Sequence, residues 1–207
     1  KTDISKLWSL SQDELLAAVP GAVAGSGQFR PVIGSPSFPA HPFDPAAPAI
    51  SSNVPMIVGS NRTEASVFMG GDPAIANISE EELAKRVGAL VPSGQAGDTI
   101  TMYRRLYPQA KRDEILYMTS TDRGYFLDST ILAGRKADQN AAPVWVYQFY
   151  RHTPVEGGRY HTPHASEIPF VFDTLAYGTS IGGEPTASAQ VLSDRMSAAW
   201  ANFARHG

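Results

Sequence analysis

Glu64 and His164 are the two residues whose types and positions could support acid–base chemistry. Each follows an apolar, strand-forming segment, and in open α/β sheets functional groups gather at the carboxyl ends of the strands. An imidazole can take a proton from a hydroxyl near neutral pH and return it to a leaving group. A carboxylate can accept the imidazole Nδ1–H and fix its tautomer. The sequence therefore predicts that these side chains, a hundred residues apart, meet within hydrogen-bonding distance.

A structural role is the alternative for each residue taken alone. Glu64 could be a glutamate in the first turn of a helix, which the helix dipole favours, and His164 could be a loop histidine bonded to backbone. The order acid then histidine favours a catalytic interpretation of the pair, since α/β-hydrolases use that order. Their nucleophile elbow, G-x-S-x-G, should precede both residues. The literal match around Ser180 follows them, with no strand before it, and is interpreted as a chance match.

A metal site is the competing interpretation of the histidine segment. His161, His164 and Glu167 offer ligand types that zinc uses, and His152 lies nearby in the sequence. Two prolines in the segment prevent a clean helical face, and the His-x-x-Glu-His spacing of helical zinc enzymes is absent. We therefore predict no metal ligands in this chain.

Composition limits the class of protein. The 207 residues suffice for one domain with a hydrophobic core. A net charge of −3 argues against a nucleic-acid surface, and no apolar stretch approaches the roughly 18–20 residues of a membrane span. No secretory signal is visible, and the absence of cysteine fits a reducing compartment, so a bacterial cytoplasmic location is favoured. The sequons at Asn61 and Asn77 are interpreted as chance matches.

The pattern of apolar residues predicts an α/β layout in which only two strands are convincing. Asp122 falls on the apolar stripe of the longest predicted helix and is interpreted as a buried acid with a structural partner. An irregular stretch over residues 21–53 contains one short extended piece, and residues 175–188 are predicted to be a flexible polar loop. The predicted elements are strands at Val54–Val58, Phe29–Ile33 and Pro143–Tyr150, a turn at Gly59–Arg62, and helices at Glu14–Ala18, Thr63–Met69, Ser79–Leu90, Asp98–Tyr107, Ala110–Gln139 and Gln190–Arg205.

Four segments, in the right order, together resemble the type-B carboxylesterase family, which includes para-nitrobenzyl esterases and cholinesterases. A fifth segment, Arg30-Pro31-Val32, is more weakly similar to the family's P-V-x-D-G region. Val54–Ala65 is similar to the family's strand and N-[RK]-D-E-G acid motif, Pro143–Phe149 to its P-V-Y-x-Y-x-F strand, His164–Phe172 to its H-G-x-[DE]-[IL]-x-[FY]-V-F motif, and Trp200–Ala204 to its W-x-N-F-A close.

Three residues depart from the family pattern. Thr63 replaces the usual acid or amide before the glutamate, and Ala65 and Ala165 replace the glycines that follow the glutamate and the histidine. Because alanine is small, both alanines are expected to be tolerated if φ stays negative at these positions.

The resemblance implies that residues 1–207 are the C-terminal portion of a single α/β-hydrolase catalytic domain. The incomplete central sheet would be completed by an N-terminal part that carries the elbow serine and the Gly-rich oxyanion loop. His164 would act as general base and then general acid on a small carboxylic ester, Glu64 would orient it, and no cofactor would be needed. The chain alone is predicted to be inactive. A noncatalytic interaction domain of the same fold is the alternative.

Overall fold

The computed structural model describes residues 3–26 and 31–207, in two compact units, Lys1–Pro45 and Ala46–Gly207. In the first unit a 3-10 helix, Ile4–Ser9, precedes helix α1, Gln12–Ser26. Ser11-Gln12-Asp13-Glu14 has the pattern of a capping box and begins α1, since the Ser11 backbone N–H donates to Glu14 Oε2 at 2.8 Å. The predicted end of this helix at Ala18 is wrong, because the alanine-rich sequence around Pro20 continues the helix at the loss of one donor. The extended piece predicted at Phe29–Ile33 begins outside the described residues.

A two-stranded parallel sheet lies in the second unit. Strand β1, Met56–Asn61, pairs with strand β2, Val144–Phe149, in the register Met56↔Val144 to Asn61↔Phe149. The turn predicted at Gly59–Arg62 is therefore wrong, because residues 59–61 continue the ladder. Glycine is needed at 59, since a Cβ there would lie 2.2 Å from the backbone oxygen of Tyr147.

The sheet is less buried than the sequence predicts. The uninterrupted apolar run Val54–Val58 is typical of a strand covered on both faces, but Met56–Gly59 are only half-buried, and Trp145 and Val146 of β2 are more than half exposed. The sheet has only these two strands among the described residues. Its exposed side chains are therefore not covered by further strands or by helices that would pack on them. The α/β class is confirmed, and the sheet is incomplete as predicted.

Between the strands lies a series of helices that form the larger hydrophobic core. These are α2 (Ser66–Met69), α3 (Pro73–Ala76), α4 (Glu80–Gly88), α5 (Ala96–Leu106), α6 (Arg112–Thr121) and α7 (Leu127–Ala137). A π-helical turn, Asp122–Phe126, joins α6 to α7, so the long helix predicted over this region is present with one widened turn. The core is built from apolar side chains of α3 to α6, among them Ile75, Leu83, Val87, Ile100, Ile115 and Leu116.

After β2 the chain runs through a loop with a 3-10 turn, Val155–Gly158, into α8 (Ile168–Val171), a 3-10 turn (Leu175–Tyr177), α9 (Thr179–Gly182) and α10 (Ala187–His206). The flexible loop predicted over residues 175–188 thus contains two helical turns. The prediction missed them because neither is long enough to show a hydrophobic period. Helix α10 begins three residues earlier than predicted because Thr186 Oγ1 accepts a hydrogen bond from the backbone N–H of Ala189.

Helix α10 packs on α8 around a second, smaller core. Phe149 at the end of β2 contacts Phe170 of α8 with ring centroids 5.2 Å apart, and Ala189 of α10 is buried beside them. This core fixes the segment that follows His164. Within the described part of the chain, no helix has the length and apolar character required to cross a membrane.

Candidate active site

Glu64 is held at the carboxyl end of β1. Its side chain is 8% exposed, and its Oε1 accepts a hydrogen bond of 2.6 Å from the backbone N–H of Asn61, the last residue of the strand. The next residue, Ala65, donates its N–H to Thr121 Oγ1 on α6 at 3.3 Å. The strand and the neighbouring helix therefore fix both the carboxylate and the backbone that carries it.

The loop that carries His164 is attached directly to the turn that carries Glu64. The Thr63 backbone N–H donates to Thr162 O at 3.2 Å, and the Thr162 N–H donates to Thr63 Oγ1 at 2.8 Å. The Thr63 hydroxyl in turn donates to Tyr160 O at 3.2 Å. Thr63, one of the departures from the family pattern, is fully buried and joins the two segments.

The structure brings Glu64 and His164 together. Their Oε2 and Nδ1 atoms lie 2.7 Å apart, so the ring can donate its Nδ1 proton to the carboxylate. The side chain of His164 is 49% exposed, and its Nε2 has no hydrogen-bond partner among the described residues. The rings of Phe68 and Tyr125 flank the imidazole, with centroids at 5.4 and 6.0 Å. The pair thus has a buried acid, an oriented ring and a free nitrogen that faces outward.

A buried polar network lies behind the pair. Asn61 Nδ2 donates to Pro163 O at 2.8 Å and to Glu167 Oε2 at 2.5 Å. Ser166 Oγ also donates to Pro163 O, at 2.8 Å. Because Asn61 is fully buried in this network, its side chain cannot carry a glycan in the folded state.

The two alanines that replace family glycines differ in backbone conformation. Ala65 has φ of −67°, where alanine is unstrained. Ala165 has φ of +66°, in the left-handed region that disfavours side chains with a Cβ. The condition that we placed on both alanines therefore holds at 65 and fails at 165. The chain retains alanine there at a cost in backbone strain.

The metal site in the form considered from the sequence is not present. His164 binds Glu64, and Glu167 binds Asn61, so neither is directed at His161. His161 and His152 instead meet Glu114, a residue of α6 that no sequence pattern singles out. It was missed because its partners lie about forty residues further along the chain, at no recognisable spacing.

Ser180 and Asp122 have the structural settings expected of them. Ser180 is exposed in the short helix α9 and makes no hydrogen bond to His164. Asp122 Oδ2 accepts a hydrogen bond of 2.5 Å from the hydroxyl of Tyr103 on α5. Burial raises the pKa of Asp122, and the Tyr103 hydrogen bond acts in the opposite direction. Neither residue is close enough to His164 to hydrogen bond with its ring.

Comparison with known proteins gives a consistent assignment. The model of the "Carboxylesterase family" matches residues 2–207, which confirms the resemblance found in the sequence. The chain is 27% identical to a para-nitrobenzyl esterase of Bacillus subtilis (strain 168) over 99% of its own length and 41% of that protein. It is 29% identical to an acylcarnitine hydrolase of Mus musculus, over 85% of this chain and 33% of that protein. It is 26% identical to a fumonisin B1 esterase of Sphingopyxis macrogoltabida, over 99% of this chain and 38% of that protein.

These relatives are longer than the chain. The chain spans between 33% and 41% of the lengths of these three relatives.

Proposed function

Because the chain belongs to the carboxylesterase family, we propose that it is the part of an ester hydrolase that supplies the acid and the histidine of a catalytic triad. The observation that carries this proposal is the 2.7 Å contact between His164 Nδ1 and Glu64 Oε2. It joins a buried carboxylate to an exposed imidazole, as the acid and base of a triad require.

His164 is the general base in this proposal. Its Nε2 takes the proton of an attacking serine hydroxyl as the serine oxygen bonds to the ester carbonyl carbon. The same nitrogen then gives that proton to the departing alcohol, which leaves an acyl-serine. In the second half of the reaction, Nε2 takes a proton from water as the water oxygen bonds to the acyl carbon. The same nitrogen then gives that proton to the departing serine oxygen, which releases the acid and restores the serine hydroxyl. Glu64 holds the ring in the tautomer with its proton on Nδ1 and stabilises the imidazolium during each step.

The serine belongs to residues that precede this chain in the full-length product. Residues 1–207 are accordingly the C-terminal portion of a single α/β-hydrolase domain, and the N-terminal part supplies the elbow serine and the oxyanion donors. Two observations support this proposal. The chain spans 41% of the para-nitrobenzyl esterase, and β2 leaves the apolar side chains of Trp145 and Val146 more than half exposed. Further strands would cover that surface.

The proposed substrate is a small carboxylic ester. The names of the relatives describe different esters and acyl compounds, so they support the class of reaction and no particular substrate. The alcohol and acyl pockets depend on both parts of the domain.

The histidines at 164 and 161 provide a matched test in the full-length product. Hydrolysis of a short-chain chromogenic ester is expected to fall by about 10⁴-fold or more in His164→Ala. His161→Ala removes an imidazole from the same loop but not from the proposed triad, so its activity is expected to stay much higher. The reverse order of the two variants would overturn the assignment of His164.

A noncatalytic interaction domain is the competing function. It would have no requirement for an oriented imidazole, so the Glu64–His164 contact favours the hydrolase. A fluorophosphonate probe, which forms a covalent bond with an activated serine, separates the two functions when it is applied to the full-length product. Labelling that depends on His164 supports the hydrolase, and absence of labelling in a folded protein supports the interaction domain.

A further inference from the structure

A second cluster of ionisable side chains lies apart from the Glu64–His164 pair. Glu114 projects from α6, His152 follows β2, and His161 begins the loop that carries His164. The side chains of Glu114 and His161 are 9% and 10% exposed, and that of His152 is 50% exposed. The mechanism proposed above uses none of the three. A buried carboxylate and a buried imidazole that meet a second, half-exposed imidazole require a physical explanation.

The three side chains have the geometry of a cation site. Glu114 Oε1 lies 3.7 Å from His152 Nε2, and Glu114 Oε2 lies 3.7 Å from His161 Nδ1. One ligand atom from each of the three residues lies within 4.8 Å of the other two. Metal–ligand distances of about 2.0–2.1 Å in tetrahedral zinc sites place ligand atoms about 3.4 Å apart. The two 3.7 Å contacts, which involve different oxygens of Glu114, are close to this spacing. The widest separation among the three ligand atoms is at most 4.8 Å, so small side-chain rotations would bring the atoms to coordinating distance.

Asp113 completes the arrangement from behind. Its Oδ2 lies 3.4 Å from His161 Nε2, the ring nitrogen opposite the one that faces Glu114. Metal-bound histidines characteristically donate their other ring N–H to a carboxylate, which fixes the tautomer that leaves the first nitrogen free to bind. His161 is also held at φ of +55°, an unfavourable conformation for a residue with a side chain. Two backbone hydrogen bonds hold the residue there: the Thr153 N–H donates to His161 O at 2.7 Å, and the His161 N–H donates to Gly158 O at 3.0 Å.

We propose that Glu114, His152 and His161 bind a divalent transition-metal cation, with Zn²⁺ the best match. One carboxylate oxygen and two imidazole nitrogens provide three ligands, and a water molecule provides the fourth on the exposed side of His152. Asp113 orients His161. The cation joins α6, the end of β2 and the loop of His164, so its role is to fix the segment that carries the proposed catalytic histidine.

The local charges favour a cation. Asp113 and Glu114 bring two carboxylates to the cluster, and the nearby guanidinium of Arg62 lies 3.7 Å from Glu114 Oε1. The guanidinium also lies over the Tyr107 ring, 3.9 Å from its centroid. The oxygen that pairs with Arg62, Oε1, also faces His152, whereas Oε2 faces His161.

Metal binding to the chelator-treated full-length product tests this proposal. Calorimetric titration with Zn²⁺, and Co²⁺ absorption as an independent reporter of tetrahedral coordination, are expected to show one site per chain. His152→Gln is expected to weaken binding by about 100-fold or more, and Asp113→Asn by about 10- to 100-fold. His206→Gln is the matched control, since His206 is exposed at the end of α10 and should leave binding unchanged.

His152 is the preferred position for the decisive variant because its side chain is half exposed, so the fold should tolerate glutamine there. Zn²⁺ should raise the melting temperature of the wild type and not that of His152→Gln. Absence of a stoichiometric site in the wild type would overturn the proposal, as would binding that His152→Gln and Asp113→Asn leave unchanged. Neither result depends on ester hydrolysis, so failure here leaves the proposed function intact.

Discussion

Replacement of Ala165 by glycine should stabilise the protein, although it removes a methyl group beside the proposed catalytic histidine. Ala165 has φ of +66°. A residue with a Cβ in the left-handed region loses about 1–2 kcal/mol relative to its favoured conformations, and glycine does not. Glycine makes the unfolded chain more flexible, which offsets about 0.4–1 kcal/mol of that gain. We expect Ala165→Gly to raise the free energy of unfolding by about 0.5–1 kcal/mol.

Ala65→Gly is the matched control at the other position where the family has glycine. Ala65 has φ of −67° and is 6% exposed, so no strain is relieved. The lost methyl group costs about 0.8 kcal/mol, and the added flexibility of the unfolded chain increases the loss. Ala65→Gly should therefore lower the free energy of unfolding by about 1–2 kcal/mol.

Urea denaturation of the full-length product, followed by circular dichroism, measures both variants against the wild type. The two predicted changes in the free energy of unfolding have opposite signs. An error in the treatment of the unfolded state that affects both variants equally therefore cannot produce both changes. A loss of stability in Ala165→Gly equal to that in Ala65→Gly would refute the argument from backbone strain.

Two further predictions concern the contacts of single residues, and a third concerns the activity of residues 1–207 alone. Thr63→Val leaves the buried N–H of Thr162 without its acceptor and should cost about 1–3 kcal/mol of unfolding free energy, whereas Thr130→Val, at an exposed position of α7, should cost much less. The raised pKa of Asp122 means that the folded state binds its proton more tightly, so the contribution of Asp122 to stability should fall as pH rises from about 4. Asp122→Asn should remove this contribution, so that the free energy of unfolding of the variant relative to the wild type rises with pH over this range. A difference that does not change with pH would contradict the raised pKa. Residues 1–207 alone should have negligible esterase activity, which a separately produced N-terminal part should restore, and robust turnover lost in Ser180→Ala would refute this.

The sequence predicted the segments whose local pattern is strong. The strand Val144–Phe149 is β-branched and aromatic and is bounded by turn residues, so its ends were predicted to within one residue. The meeting of Glu64 and His164 was also predictable, because both follow strands that pair in parallel and so end at the same edge of the sheet.

Other features depend on contacts that the local sequence does not encode. Gly59 to Asn61 have the composition of a turn, but their pairing with Tyr147 to Phe149 makes them a strand. Alanine rarely adopts the left-handed conformation that Ala165 has, so its local propensity does not reveal this conformation. Glu114 meets two histidines only because α6 packs beside the end of β2.

The kinetics of Glu64→Gln in the full-length product test the central claim most directly. Glutamine has nearly the size of glutamate but no negative charge, so it cannot stabilise an imidazolium. Its oxygen is expected to accept the Asn61 N–H as Oε1 of Glu64 does, which turns the amide NH₂ toward His164 Nδ1 and favours the wrong tautomer. The account predicts that kcat for a short-chain ester falls by about 10⁴-fold while KM changes little, as expected for a group that acts in the transition state. Activity within about tenfold of the wild type would contradict it, because the carboxylate 2.7 Å from His164 would then have no catalytic role.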